Sequence, residues 1–439
     1  MPVDDTMTAP GAAPRGDQWS VAGLATGAVV LLAAALLPVQ ATSEWLHGTY
    51  GATRQELALG VWLLKASVAA IVIAGVVIAR LGAPSGASFA GATGPEPRAP
   101  WDAWSVAVVG AIVLLAAVLR LYRLDTELWQ DEIYMRVRYV PLELRQLVST
   151  YDSQNHQPLY TILAQRAFAL FGGAEWALRL PAVIMGVASI VAVRQFARDV
   201  ATTAEANLAA LALAVSYHHL WFSQNARGYT GILLCTVIAT GFFLRLGRGD
   251  GHRPVKLTWL YAITIALAAY THVTAALIAI GHAAALLATT RWRNTTARRA
   301  ARWPTAAIAL SGLLTIALYA PMLPQVAREV TQPTMQGVKV EWTSPAWMLA
   351  EGARVMASGI PGGIGALLVL LLVLGIGLMS YWKQSRTVVL VMFAPVALTA
   401  AVMLSAGHNL WPRFFFFAAG FLVLVALRGG FTIVRWAVP

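Results

Sequence analysis

Cysteine occurs once in this chain of 439 residues, at Cys235, which excludes an intrachain disulfide and a cysteine-based metal cluster. Cys235 lies in an apolar run, where a small buried hydrophobe is the plain reading. Charge is scarce too: Asp, Glu, Lys and Arg make up 12% of the residues, where a soluble domain carries about a quarter. Acids are the scarcer sign, 20 against 32 Lys and Arg, for a net charge of +12. That excess does not call for nucleic acid as a partner, because cytoplasmic loops of membrane proteins are rich in Lys and Arg. What is abundant is apolar: 58% of residues are hydrophobic and mean hydropathy is +0.64. Little charge, spread between apolar runs that can cross about 30 Å of hydrocarbon, describes a polytopic membrane protein.

Residues 1–20 are polar and Pro-, Gly- and Ala-containing, and read as a disordered cytoplasmic tail. The run that follows is too long for a signal peptide and reads as an anchor. Apolar runs near 21–40, 58–79, 104–122, 178–195, 205–222, 228–246, 257–270, 273–289, 304–323, 363–380, 387–405 and 413–434 predict an all-α fold of about twelve transmembrane helices. The pair within 257–289 is divided because the stretch far exceeds one span, with Tyr270, Thr271 and His272 at the break.

Basic residues fix the expected orientation. Arg194 and Arg198, Arg245 to Lys256, Arg291 to Arg302, and Lys383 with Arg386 occupy one set of alternate loops, which the positive-inside rule makes cytoplasmic. The opposite loops, about 123–177, 223–228, 270–272, 324–362 and 407–412, hold most of the unusual polar residues and by parity share the extracytoplasmic face.

Three of these loops carry candidate chemistry. Asp131 and Glu132, in Leu128–Tyr134, directly follow a span; adjacent acids at a membrane surface need water, a cation or hydrogen-bond donors. Asp131 serves equally well on spacing as a helix cap or as a general base taking a proton from an attacking hydroxyl. His156 and Tyr160 lie further along the same loop, in Asn155–Tyr160. Arg227, in Ser223–Tyr229 with Gln224 and Tyr229, sits where the positive-inside rule disfavours arginine, so an anionic ligand or an ion pair with Asp131 or Glu132 is implied. His272 and Arg413 stand at helix ends, where each alone is ordinary.

Taken in order, Trp129–Glu132, His156–Tyr160, Ala177–Pro181, Ser223–Tyr229, Tyr270–His272 and Arg413–Phe417 resemble the bacterial members of the dolichyl-phosphate-mannose protein mannosyltransferase superfamily. These are GT-C fold glycosyltransferases that include the aminoarabinose transferases of lipid A. The resemblance covers about 104–430 and departs from the family at Asn225, where Glu is frequent, and at Gln157, where a proline is common. It implies a GT-C domain over 104–436 with interfacial helices in the first outer loop, and leaves 21–103 as two additional helices and a linker.

The resemblance further implies an inverting transfer of one sugar from a polyprenyl phosphate to an acceptor hydroxyl, at the outer face of a bacterial plasma membrane. The acceptor class stays open among protein, lipid and glycan. Asp131 would be the base and Glu132 its helper or the acceptor's guide. His156, Arg227 and Arg413 would contact the phosphate, with His272 a weaker candidate; Tyr160, Gln224 and Tyr229 would line the site. No cofactor is required, although Asp131 and Glu132 are also where a divalent cation would sit, as in some relatives. Three other readings compete: a polymerase or ligase of lipid-linked glycans, which the acid pair fits less well; a transporter or flippase, which would show mid-membrane charges and a repeat between halves; and a membrane scaffold, which would leave the outer acids and arginines without a task.

Overall fold

The computed structural model describes residues 16–47, 52–81, 103–248, 253–331, 344–358, 363–406 and 410–438. Every regular element among them is helical. In chain order these are α1 (Gly16–Leu36), α2 (Val39–Leu46), α3 (Arg54–Ala79), α4 (Ala103–Leu121), α5 (Gln130–Arg138), α6 (Leu144–Leu147), α7 (Pro158–Leu170), α8 (Leu180–Ala197), α9 (Thr203–Val215) and α10 (Tyr217–Ser223). Then follow α11 (Tyr229–Arg248), α12 (Pro254–Thr271), α13 (Ala276–Thr289), α14 (Thr295–Tyr319), α15 (Leu323–Thr331), α16 (Pro345–Ser358), α17 (Gly363–Gln384), α18 (Arg386–Ser405) and α19 (Ala419–Ala437).

The starts of these helices are written in local sequence. Thr53 with Glu56 and Thr202 with Glu205 form reciprocal capping boxes for α3 and α9, while Asn294 caps α14 and Ser385 caps α18. Pro158, Leu159 and Tyr160 open α7 with proline where its missing N–H costs nothing. Helix α1 begins at Gly16, within the tail expected over 1–20; the rest of that tail, and most of the linker before α4, lie outside the described residues.

Eight helices among the described residues are long and apolar enough to cross a bilayer, or nine if α1 and α2, bent by 78°, count as one. The chain is thus a multi-pass helical membrane protein. The expected span at 205–222 is two helices, and a buried cation satisfies the break between them. Arg120, at the end of α4, donates to the carbonyls of Leu213 and Ala214 at 3.2 and 3.1 Å. These are among the carbonyls left open where α9 ends, and Ser216 caps a new helix, α10. The helix expected at 304–323 starts at Thr295 and carries Pro304 within it.

Helices α8, α9, α11, α12, α14, α18 and α19 share one apolar core. Close packing depends on small residues: at Gly377 of α17 and Gly429 of α19 a Cβ would collide with the backbone of the opposite helix. The segment 123–179, which carries α5, α6 and α7, folds as a cap around a core of Met135, Tyr139, Leu147, Tyr160 and Leu178, closed by Ala182 of α8 and Ala226 of the 223–228 junction. That cap holds four of the nine candidate site residues, Asp131, Glu132, His156 and Tyr160, against one end of the bundle.

Candidate active site

Two adjacent acids at the start of α5 have opposite environments. Glu132 is 1% exposed and receives four N–H donors. Arg179 Nε and Nη2 donate to its two oxygens at 2.9 and 2.7 Å. Trp129 N and Ala226 N complete the set at 3.0 and 2.5 Å. A carboxylate has about four lone-pair sites, so none remains for a substrate hydroxyl or a cation. With these four donors Glu132 joins loops. Arg179 also donates to the carbonyls of Leu124, Thr126 and Glu127, and Trp129 Nε1 donates to Asn225. The loop between α4 and α5, the turn before α8 and the 223–228 junction are locked together through that one acid.

Asp131 lies one residue earlier, on the outer side of the same turn, with its side chain 22% exposed. Of the two carboxylates it is the accessible one. Its carboxylate stands 3.5 Å from Arg413 Nη1, at the start of the turn leading into α19. The ion pair that sequence spacing offered to Arg227 thus belongs to Arg413. Arg413 also borders a small cavity with Tyr229, Ile232, His272, Thr274, Phe414 and Phe417, so a guanidinium and an imidazole meet there, with the Asp131 carboxylate on the far side of the guanidinium's ion pair.

Arg227 is buried; its Nη1 donates to the Asn155 carbonyl at 2.8 Å, and its Nε is buried with no hydrogen-bond acceptor among the described residues. Its charge and that of Arg413 reach His272, since both help burial hold that imidazole down to about 3. Burial likewise holds His156 down to about 4. Both rings are neutral at neutral pH, and their partners fix opposite tautomers. His156 Nδ1 faces the Thr150 carbonyl at 3.0 Å, so Nδ1 carries the proton and Nε2, which has no partner among the described residues, offers a lone pair. His272 Nδ1 accepts from Thr274 N at 3.4 Å, so Nε2 carries the proton, on a ring bordering the cavity. His272 thus presents an N–H on the ring that borders the cavity, whereas His156 keeps a buried lone pair at Nε2.

Two further candidates have structural partners. Tyr160 is fully buried and donates its hydroxyl to the Leu178 carbonyl at 2.8 Å. Gln224 donates its amide to carbonyls at the end of α4, the nearest that of Tyr122 at 2.7 Å. Neither touches the cavity, while Tyr229 borders it. Among the described residues no three His, Cys, Asp or Glu side chains are grouped to hold a metal ion. Arg179 is the residue that sequence reasoning passed over. It was in view within Ala177–Pro181, but nothing local shows that this arginine turns inward to Glu132.

Residues 155–323 match the family model described as dolichyl-phosphate-mannose-protein mannosyltransferase. No curated protein matches the sequence. The structure is similar to that of ArnT from Cupriavidus metallidurans bound to undecaprenyl phosphate, at TM-score 0.51 and 16% identity over 74% of this chain and 59% of that one. It is also similar to the archaeal oligosaccharyltransferase AglB from Archaeoglobus fulgidus in complex with an inhibitory peptide and a dolichol-phosphate, at TM-score 0.48 and 15% identity over 76% and 50%. A third similar structure is the arabinosyltransferase EmbB from Mycobacterium smegmatis, at TM-score 0.45 and 14% identity over 84% and 34%. The chain therefore spans about three fifths of the length of ArnT. The superfamily resemblance and the GT-C fold read from the motifs are borne out.

Proposed function

We propose that this GT-C fold protein transfers a single sugar from a polyprenyl phosphate to an acceptor hydroxyl, with inversion, at the extracytoplasmic face of a bacterial plasma membrane. The observation that carries this reading is the pairing of Asp131 with Arg413 beside the His272 cavity. A proton acceptor and a phosphate-binding cation belong at the two ends of such a displacement. The acceptor O–H gives its proton to Asp131 as its oxygen attacks the anomeric carbon. The anomeric C–O bond to phosphate breaks on the opposite side, and the departing polyprenyl phosphate takes the electron pair.

Arg413 and Arg227 supply fixed positive charge where that phosphate gathers charge, and His272 Nε2–H adds a neutral donor. His156 Nε2 accepts from a hydroxyl of the sugar or acceptor. Arg413 touches both halves of the site, so phosphate binding draws it from Asp131 and leaves the base to the incoming hydroxyl. ArnT, of similar fold, is bound to undecaprenyl phosphate, which supports that lipid as donor carrier here. A lipid-linked glycan polymerase would use the same cations, but one base next to one guanidinium fits a single-phosphate donor better.

The test is Asp131→Asn. An amide cannot take the proton, and general base catalysis is worth about 10²–10⁴-fold. Turnover of polyprenyl-phosphate sugar should fall by that factor while undecaprenyl phosphate binds at least as tightly as before, since Arg413 is freed of its competing carboxylate. A purified, monodisperse Asp131→Asn protein with near wild-type turnover sinks the assignment.

A further inference from the structure

The segment Ser149–Gln157 is a strap between α6 and α7 that is buried at most positions, Ser149, Thr150, Tyr151, His156 and Gln157 being no more than 3% exposed. Buried irregular backbone must find partners for its N–H and C=O groups. Here a side chain from elsewhere in the chain supplies them. Gln325, in α15 and fully buried, donates its amide N–H to the Ser149 carbonyl and accepts from Tyr151 N, both at 2.8 Å. It stands against the strap as a neighbouring strand would.

The element bearing Gln325 is itself held by the N-terminal helices that the superfamily resemblance does not account for. Gly60 of α3 lies so close to the turn at Ala320–Met322 that a Cβ there would be 2.6 Å from the Ala320 oxygen and 2.8 Å from Pro321 Cα. Glu56 of α3 pairs with Arg328 of α15 at 2.6 Å. Helix α2 reaches the strap directly. Arg145 Nη1 donates to the Trp45 carbonyl at 2.7 Å, and Ser149 Oγ is within 3.0 Å of the Leu46 carbonyl.

The far end of the strap holds the site. The Asn155 carbonyl accepts from Arg227 Nη1 at 2.8 Å, and Gln157 Oε1 accepts from Gly228 N at 2.6 Å. The arginine assigned to the donor phosphate is thus oriented by a loop whose other end is fixed by Gln325, α2 and α3.

We infer that Gln325, supported by α2 and α3, is a positioning residue that sets Arg227 for the donor phosphate through the strap 149–157. This inference rests on the reading of Arg227 as a phosphate contact. Under it the two additional helices brace the loop that carries the cation.

The experiment uses the full chain in lipid nanodiscs and undecaprenyl phosphate as probe. Gln325→Leu removes both hydrogen bonds while keeping an apolar volume. The Tyr151 amide should exchange about tenfold faster, and the probe should bind about three- to tenfold more weakly, as loss of buried hydrogen bonds implies. In an Arg227→Gln background the same change should weaken binding no further, because its effect passes through that arginine. Gln325→Glu, which still accepts from Tyr151 N, should fall between. Gly60→Ala, which pushes α3 off the turn, should shift exchange and binding the same way; it and Gln325→Glu carry the test should Gln325→Leu not purify as a monodisperse species. Unchanged Tyr151 exchange, or an equal further loss in the Arg227→Gln background, overturns the inference. Normal binding by Arg227→Gln alone overturns instead the reading of Arg227, and the exchange arm then judges the bracing of the strap by itself.

Discussion

Replacing Glu132 with Gln is a change of one atom, and it should be far more damaging to the fold than the matching change at Asp131 next to it. Four N–H groups converge on the Glu132 carboxylate, two from Arg179 and one each from Trp129 and Ala226. A glutamine keeps one oxygen and turns an NH₂ toward two of those donors, where it finds nothing to accept its hydrogens. Arg179, with a side chain 4% exposed, is left as a buried charge without its counter-ion. Breaking a buried pair in this way costs about 3–5 kcal/mol. Asp131 has one ion pair, at 3.5 Å, between side chains 22% and 32% exposed. Exposed pairs are worth about 0–1 kcal/mol, so Asp131→Asn should unfold almost as the wild type does.

The assay is denaturant unfolding of both purified variants in one detergent, followed by tryptophan fluorescence, with transfer activity measured alongside. Asp131→Asn should keep stability and lose turnover; Glu132→Gln should lose both. Adding Arg179→Met to Glu132→Gln should cost much less than the two single changes together, since the two residues are one unit. A Glu132→Gln protein as stable as wild type would refute the assignment of Glu132 as the buried link between loops, and would return it to the reacting groups.

Arg227→Gln should weaken undecaprenyl phosphate binding by roughly ten- to a hundredfold, since hydrogen bonds to a charged group contribute about 1.5–3 kcal/mol; unchanged affinity in isothermal titration would mark Arg227 as structural. Lowering the pH from 6.5 to 4 should destabilise the fold, because burial holds His156 down to about 4 while the unfolded chain takes up the proton near 6.5. The slope approaches about 1.4 kcal/mol per pH unit for this histidine, and His156→Gln should remove it; a slope unchanged by that variant argues that the imidazole is solvated. A cysteine placed at Gln154 in a Cys235→Ala background should react with a membrane-impermeant maleimide in intact spheroplasts, and labelling only after lysis would invert the proposed topology.

The sequence by itself determined what the solvent is and where the polar groups collect. Apolar runs separated by short basic loops dictate membrane helices, because hydrocarbon satisfies no backbone polar group. Capping boxes at Thr53 and Thr202 set two helix starts, and six short motifs marked the superfamily and gathered Asp131, Arg227, His272 and Arg413 at one end of the bundle. What only the tertiary structure decided is which polar group faces which. Nothing in Trp129–Glu132 tells the two acids apart: the distinction comes from Arg179, 47 positions away, turning toward Glu132 alone. The break at Ser216 was illegible because Arg120, which satisfies the carbonyls left open there, lies on another helix some 93 positions earlier than the Leu213 carbonyl it caps. The tautomers of His156 and His272 follow from a carbonyl partner in one case and an N–H partner in the other, and spacing encodes neither. Periodicity and charge act along the chain and can be read there; pairing of buried donors and acceptors acts across it, and exists only once the helices have packed.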